Sequence, residues 1–326
     1  MSALRRRRAL RLCVVACAAI VLALALSISA LLPLLALSPV LFGVPHIASD
    51  VRYLLVRAAR GQGGVRVPLR LARVLGPLFA LAALLGLFGA GSAALAVACA
   101  AVVWTALVTV QSGRLRIALS IAALVASALA LSYPWLARLV LAQAHNWIAL
   151  GIAAFLVRRR AASGWLPLAL IVGGVLLIAS GACDAWLLLA STGSVGRTAL
   201  REVAAVVAPP GAAPVIALRW VALFAFAQAV HYSAWLSIVP DAERENERPV
   251  SFRRSFELLR ADFGEAGARG VVLATIALPV SACFALDPAR RAYVGVAIFH
   301  GFVELAWLLV LLSSTRFGAA SRRAVA

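Results

Sequence analysis

The chain has no lysine, so all 31 basic residues are arginine, and only 12 acidic residues and four histidines accompany them. Charged residues make up 13% of 326 positions. Soluble domains carry about 25%, so this chain has too few charges to solvate the surface of a water-soluble protein of its size. Cysteine is scarce as well: Cys13, Cys17, Cys99, Cys183 and Cys283 form no CxxC pair, which leaves no zinc knuckle or disulfide framework and reads as small core residues. No long polar block separates two hydrophobic halves, so residues 1–326 read as a single integral-membrane helical domain. No internal repeat of the kind found in inverted-repeat carriers is visible.

Apolar residues fill the space the charges leave. They make up 64% of the chain, mean hydropathy is +0.99, and runs of about 20 apolar residues, the length that crosses a bilayer, recur along it. The expected fold class is therefore all-α: a polytopic helical membrane protein with about ten transmembrane helices in one bundle. The expected spans are 12–31, 34–56, 71–89, 91–111, 117–133, 135–157, 165–190, 214–240, 270–286 and 292–312. RRRR at 5–8 precedes an apolar run too long for a cleaved signal, so that run counts as the first span.

With the N-terminus inside, the arginine-rich connections 57–70, 112–116, 158–164 and 241–269 and both termini fall on one side. That asymmetry predicts a multi-pass protein of the cell inner (plasma) membrane with cytoplasmic N- and C-termini. A net charge of +19 would suggest nucleic acid in a soluble protein. Here the arginines lie between apolar runs and serve topology and anionic-lipid contact, so no nucleic acid is expected. In the 241–269 loop, Phe252, Phe256, Leu259 and Phe263 form an apolar stripe with Arg253, Arg254 and Arg260 off it, the pattern of an interfacial amphipathic helix.

The four histidines are His46, His145, His231 and His300, and they fall in spans two, six, eight and ten, all running from outside to cytoplasm. They precede the cytoplasmic ends near Val56, Val157, Val239 and Leu312 by 10, 12, 8 and 12 residues. At about 1.5 Å rise per residue these positions share a layer about 6 Å deep. An ionisable side chain inside a membrane segment is costly unless partnered and marks function. Imidazole nitrogen suits iron, copper, zinc and nickel, so all four histidines are candidate ligands of a mononuclear or dinuclear non-haem metal site.

Of the acidic residues only Asp50, Asp184 and Glu304 fall within spans. Asp50 follows His46, and Glu304 follows His300, by four residues on the same helical face. A carboxylate placed so can orient the imidazole or coordinate the metal itself. Asp50, Glu304 and Tyr232 are the candidate catalytic side chains, with Asn146 and Gln228 adding polar groups beside the histidines. The flanking runs AFAQAVHYSAW and AIFHGFVELAW predict an apolar, elongated cavity beside this layer, opening sideways to the bilayer.

Within LFGVPHIASD, residues 41–50, the chain resembles the Brp/Blh family of bacterial membrane β-carotene dioxygenases. Gly43, Pro45, His46 and Asp50 match that family's Gly-x-Pro-His element and its Asp four residues on. Ile47 and Val51 stand where the family has a small residue and a further histidine. The resemblance implies a polytopic helical protein whose intramembrane histidines hold iron and whose substrate is a carotenoid. The sequence thus reads as an integral-membrane metalloenzyme, a non-haem Fe(2+) oxygenase cleaving or oxidising a lipid-soluble unsaturated substrate such as a carotenoid. Its partners are that small molecule and membrane lipids; no protein partner is legible. Two alternatives stay open: a proton-coupled transporter relaying protons through His46, Asp50, Asp184 and Glu304, and a haem-binding electron-transfer protein.

Overall fold

The computed structural model describes residues 3–61, 68–109, 113–157, 165–193, 197–242, 252–297 and 299–323, with 3–6, 115, 242, 252 and 312–323 described by their backbone alone. The arginine-bearing connections expected at 62–67, 112, 158–164 and 243–251 lie outside the described residues. Those described form helices and short turns, with no strand among them.

In chain order the helices are α1 (Ala3–Ser29), α2 (Leu31–Asp50), α3 (Arg57–Ala59), α4 (Leu69–Leu87), α5 (Gly91–Thr109), α6 (Gly113–Ser132), α7 (Pro134–Val157) and α8 (Trp165–Ala179). There follow α9 (Asp184–Ala190), α10 (Arg197–Val207), α11 (Pro214–Ser233), α12 (Val239–Ala242), α13 (Phe252–Phe284), α14 (Leu286–Ala297) and α15 (His300–Arg323). Two π-helical segments continue them, Val51–Val56 after α2 and Ala234–Ile238 after α11.

Among the described residues eight helices are long and apolar enough to cross a membrane, or nine if the bent pair α8–α9 is one span. Ten were expected, and two places account for the difference. The apolar stretch Arg116–Ser132 is short for a span. The expected span 165–190 is broken by an 80° bend between α8 and α9, where Gly181 takes φ 83°, a left-handed conformation that side-chain-bearing residues resist. Large apolar side chains such as Phe88, Trp165, Leu273 and Phe284 stand exposed, as the outward face of a membrane protein requires. Cys99 and Cys183 are buried as expected, whereas Cys283 is exposed; none of the five is joined in a disulfide.

Where the sequence reads as one domain, the contacts divide the chain into two compact units, Met1–His46 with Arg138–Arg291 and Ile47–Ala137 with Ala292–Ala326. In the first, α1 packs on α11, α8 and α9. Small residues such as Ala23, Ala222 and Ala225 let these helices approach closely around Ile20, Val221 and Phe226. Charged contacts lie at the margins of this packing. Arg11 grips both carboxylate oxygens of Asp241 at 3.0 and 2.8 Å, and Arg8 donates to the Asp241 carbonyl. Gln143 of α7 donates to the carbonyls of Val207 and Trp220, each at 3.3 Å, which fixes α7 against α10 and α11.

The α8–α9 bend is clamped by Arg219, whose Nε and Nη2 donate to the two oxygens of Asp184 at 2.9 and 2.6 Å. A side chain at Gly181 would occupy the guanidinium's place. Helix α13 is interrupted at Gly264 (φ 74°, ψ 174°), which separates the amphipathic limb expected before it from the apolar limb after it. In the first limb Arg253, Arg254 and Arg260 are exposed, and Arg253 and Arg254 pair with Glu257.

In the second unit α4 and α5 pack on each other, and α5 also on α6 and α15. The α5 face buried there is small, Ala94, Ala98, Ala101 and Thr105 recurring at intervals of four, three and four. Helix α15 also packs against the π-helical segment Val51–Val56, which brings the start of α15 to the turn that follows Asp50.

Candidate metal centre

In the first unit three helices deliver polar side chains to one buried place. Helix α2 continues through Pro45, which has no N–H to give the carbonyl four residues back, and on the next residue presents His46, fully buried. Helix α11 presents His231 and Tyr232, and α7 presents His145 and Asn146. The rings of His46 and His231 meet edge to face, centroids 4.4 Å apart and planes at 88°. A ring nitrogen of each lies within 4.8 Å of the other.

The Tyr232 ring stands 4.8 Å from His46, and its hydroxyl accepts a hydrogen bond from Gln228 Nε2 at 3.0 Å. His145 lies beside the pair, 5.7 Å from His231 between centroids, with its Nδ1 2.8 Å from the carbonyl of Leu141 in its own helix. Asn146, fully buried, sets Oδ1 2.9 Å from His231 Nδ1 and donates from Nδ2 to the carbonyl of Ala142 at 3.1 Å.

The second unit holds a complementary pair. Asp50 closes α2 and Glu304 lies in the second turn of α15; both are fully buried, and a carboxylate oxygen of one lies within 4.8 Å of one of the other. Two carboxylates this close in a low-dielectric interior cannot both carry charge without a cation or a proton between them. His300, one turn before Glu304, donates from Nδ1 to the carbonyl of Ala297. Arg52 on the π-helical segment and Arg57 at the start of α3 flank the Tyr53 ring, each 5.4 Å from its centroid.

The ligating atoms that cluster are therefore those of His46 with His231 and of Asp50 with Glu304. The carboxylates, expected either to orient the imidazoles or to coordinate the metal themselves, stand among the atoms able to bind a metal directly. His145 is turned with Nδ1 toward a carbonyl of its own helix, and His300 toward the carbonyl of Ala297 at the end of α14. Each unit also carries a π-helical segment beginning just after its site residues, at Val51 after Asp50 and at Ala234 after Tyr232. Such segments shift the helical face by about one residue and favour functional sites; no periodicity in the sequence announces them.

Asp184, considered in sequence as part of a proton relay, is instead the anion of the Arg219 clamp. The groove along α1, about 780 Å³ and lined by residues including Leu10, Val14, Val21 and Leu166, contains none of the histidines. It is not the slot expected beside them. No protein-family model, no curated protein and no solved structure matches this chain.

Proposed function

We propose that the chain is an integral-membrane metalloprotein in which the buried pair His46 and His231 and the buried pair Asp50 and Glu304 are ligands of a catalytic metal. We take the ion to be Fe(2+) in a non-haem oxygenase acting on a lipid-soluble unsaturated substrate such as a carotenoid. The observation that carries this reading is the pairing of buried ligating groups, imidazole with imidazole in the first unit and carboxylate with carboxylate in the second. The two pairs are linked along the chain, because His46 and Asp50 stand one turn apart on α2.

The donor set fits the group. Imidazole nitrogens in one pair and anionic oxygens in the other suit iron or manganese better than a thiolate-loving metal. Two donors bound to one ion at about 2.1 Å each lie at most about 4.2 Å apart, so each pair needs only a small inward movement. Bound there, iron would supply the redox chemistry. His46 and His231 contribute lone pairs, and Asp50 and Glu304 contribute the compensating charge. The Tyr232 hydroxyl, held by Gln228, can keep or pass a proton beside His46, and the apolar helices keep water away and face the bilayer from which a lipid-soluble substrate would come.

The edge contact of His46 with His231 leaves no gap for a haem between those two imidazoles, which favours the non-haem reading. The proton-relay alternative loses Asp184 to Arg219. The arginine asymmetry supports placement in the inner membrane with both termini cytoplasmic. The test is metal analysis of protein purified anaerobically in detergent, followed by oxygen uptake on adding β-carotene. About one equivalent of iron and uptake coupled to substrate loss are expected. No stoichiometric metal, and none taken up on titration with Fe(2+), would refute the reading.

A further inference from the structure

We propose that Asn146 is a positioning residue that fixes His231 in the tautomer protonated on Nδ1, so that Nε2 carries the lone pair. The argument runs along two hydrogen bonds in the first unit. The carbonyl of Ala142 can only accept, so the atom of Asn146 that meets it at 3.1 Å is the amide nitrogen. The amide oxygen is then the atom facing His231, 2.9 Å from Nδ1. That oxygen also only accepts, so Nδ1 must donate. A neutral imidazole bears one N–H, which leaves the lone pair on Nε2.

Asn146 and His231 are both fully buried, on α7 and α11, so the orientation is set by the helices and not by surrounding water. Metal-ligating histidines are usually held by such a bond from the second ring nitrogen, which fixes the ring and raises its basicity. The chain from Ala142 through Asn146 to His231 Nε2 is therefore a preset ligand. Its tautomer is a property of the metal-free chain; its use rests on the metal reading proposed above.

The experiment is 15N NMR of the full chain labelled at histidine, metal-free, in detergent, with the His231 ring assigned by its loss in His231→Gln. Only four histidines contribute. The expected result is a protonated Nδ1 and an unprotonated Nε2 for His231 in the native chain and in Asn146→Asp, where a carboxylate oxygen can accept the same bond. Asn146→Ala should show exchange between tautomers. Fe(2+) titration should give an affinity about 10- to 100-fold weaker for Asn146→Ala and restored in Asn146→Asp.

A native His231 protonated on Nε2, or an Asn146→Ala protein with unchanged ring signals, overturns the proposal whatever the metal result. An Nδ1-protonated ring in a chain that binds no metal sustains the positioning and removes the metal reading alone. Should Asn146→Ala fail to fold, the native and Asn146→Asp spectra still decide the tautomer.

Discussion

Glu304→Gln separates a metal ligand from a packing residue by the sign of its effect. The Glu304 and Asp50 oxygens lie within 4.8 Å of each other. At an effective dielectric constant of about 20, two unit charges at that distance repel by at least about 3.5 kcal/mol, or about 2.5 decades in an equilibrium constant. In the native protein a bound divalent cation is attracted by both carboxylates, which offsets that repulsion. Glutamine keeps the shape of the side chain and removes one charge. The metal-free variant should therefore unfold at a temperature equal to or above that of the metal-free native protein.

Its affinity for Fe(2+) should fall, because one anionic donor to the cation is lost. Stabilisation by saturating metal, which grows with the logarithm of ligand concentration over Kd, shrinks to match. The assay is thermal unfolding in detergent of native and variant protein, each after chelation and after adding Fe(2+), with affinity from titration. A variant destabilised equally with and without metal would show that Glu304 serves packing and would refute the reasoning.

Three further outcomes are expected. His46→Ala and His231→Ala should lose stoichiometric metal while still entering the membrane fraction, and His145→Ala and His300→Ala should retain it; elemental analysis beside membrane fractionation checks both, and equal loss in all four would restore the four-imidazole site. Arg219→Met should release the clamp on the α8–α9 bend and lower the melting temperature, with metal content unchanged by elemental analysis. Gly295→Ala would set a Cβ 2.7 Å from the backbone oxygen of Gly86, and overpacking of this kind costs about 1–3 kcal/mol, again visible in the melting temperature.

The sequence by itself determined the solvent and the local spacing. Apolar runs of bilayer length can satisfy their backbone only as helices, so an all-helical membrane fold follows from composition and run length. The one-turn spacing of His46 with Asp50, and of His300 with Glu304, is a property of any α-helix. For the same reason the amphipathic limb before Gly264 was legible from its stripe of apolar residues.

Tertiary structure alone decided which of these groups meet. His231 finds Asn146 85 positions away, Arg219 closes on Asp184 35 positions away, and Asp50 stands beside Glu304. In a water-soluble protein an apolar face points to the core, and periodicity announces packing. Here the lipid-facing and protein-facing sides of a helix are equally apolar. The sequence therefore marks that a helix crosses the membrane but not which face it turns inward. The π-helical segments and the break at Gly181 then move those faces in ways that only the packed helices reveal.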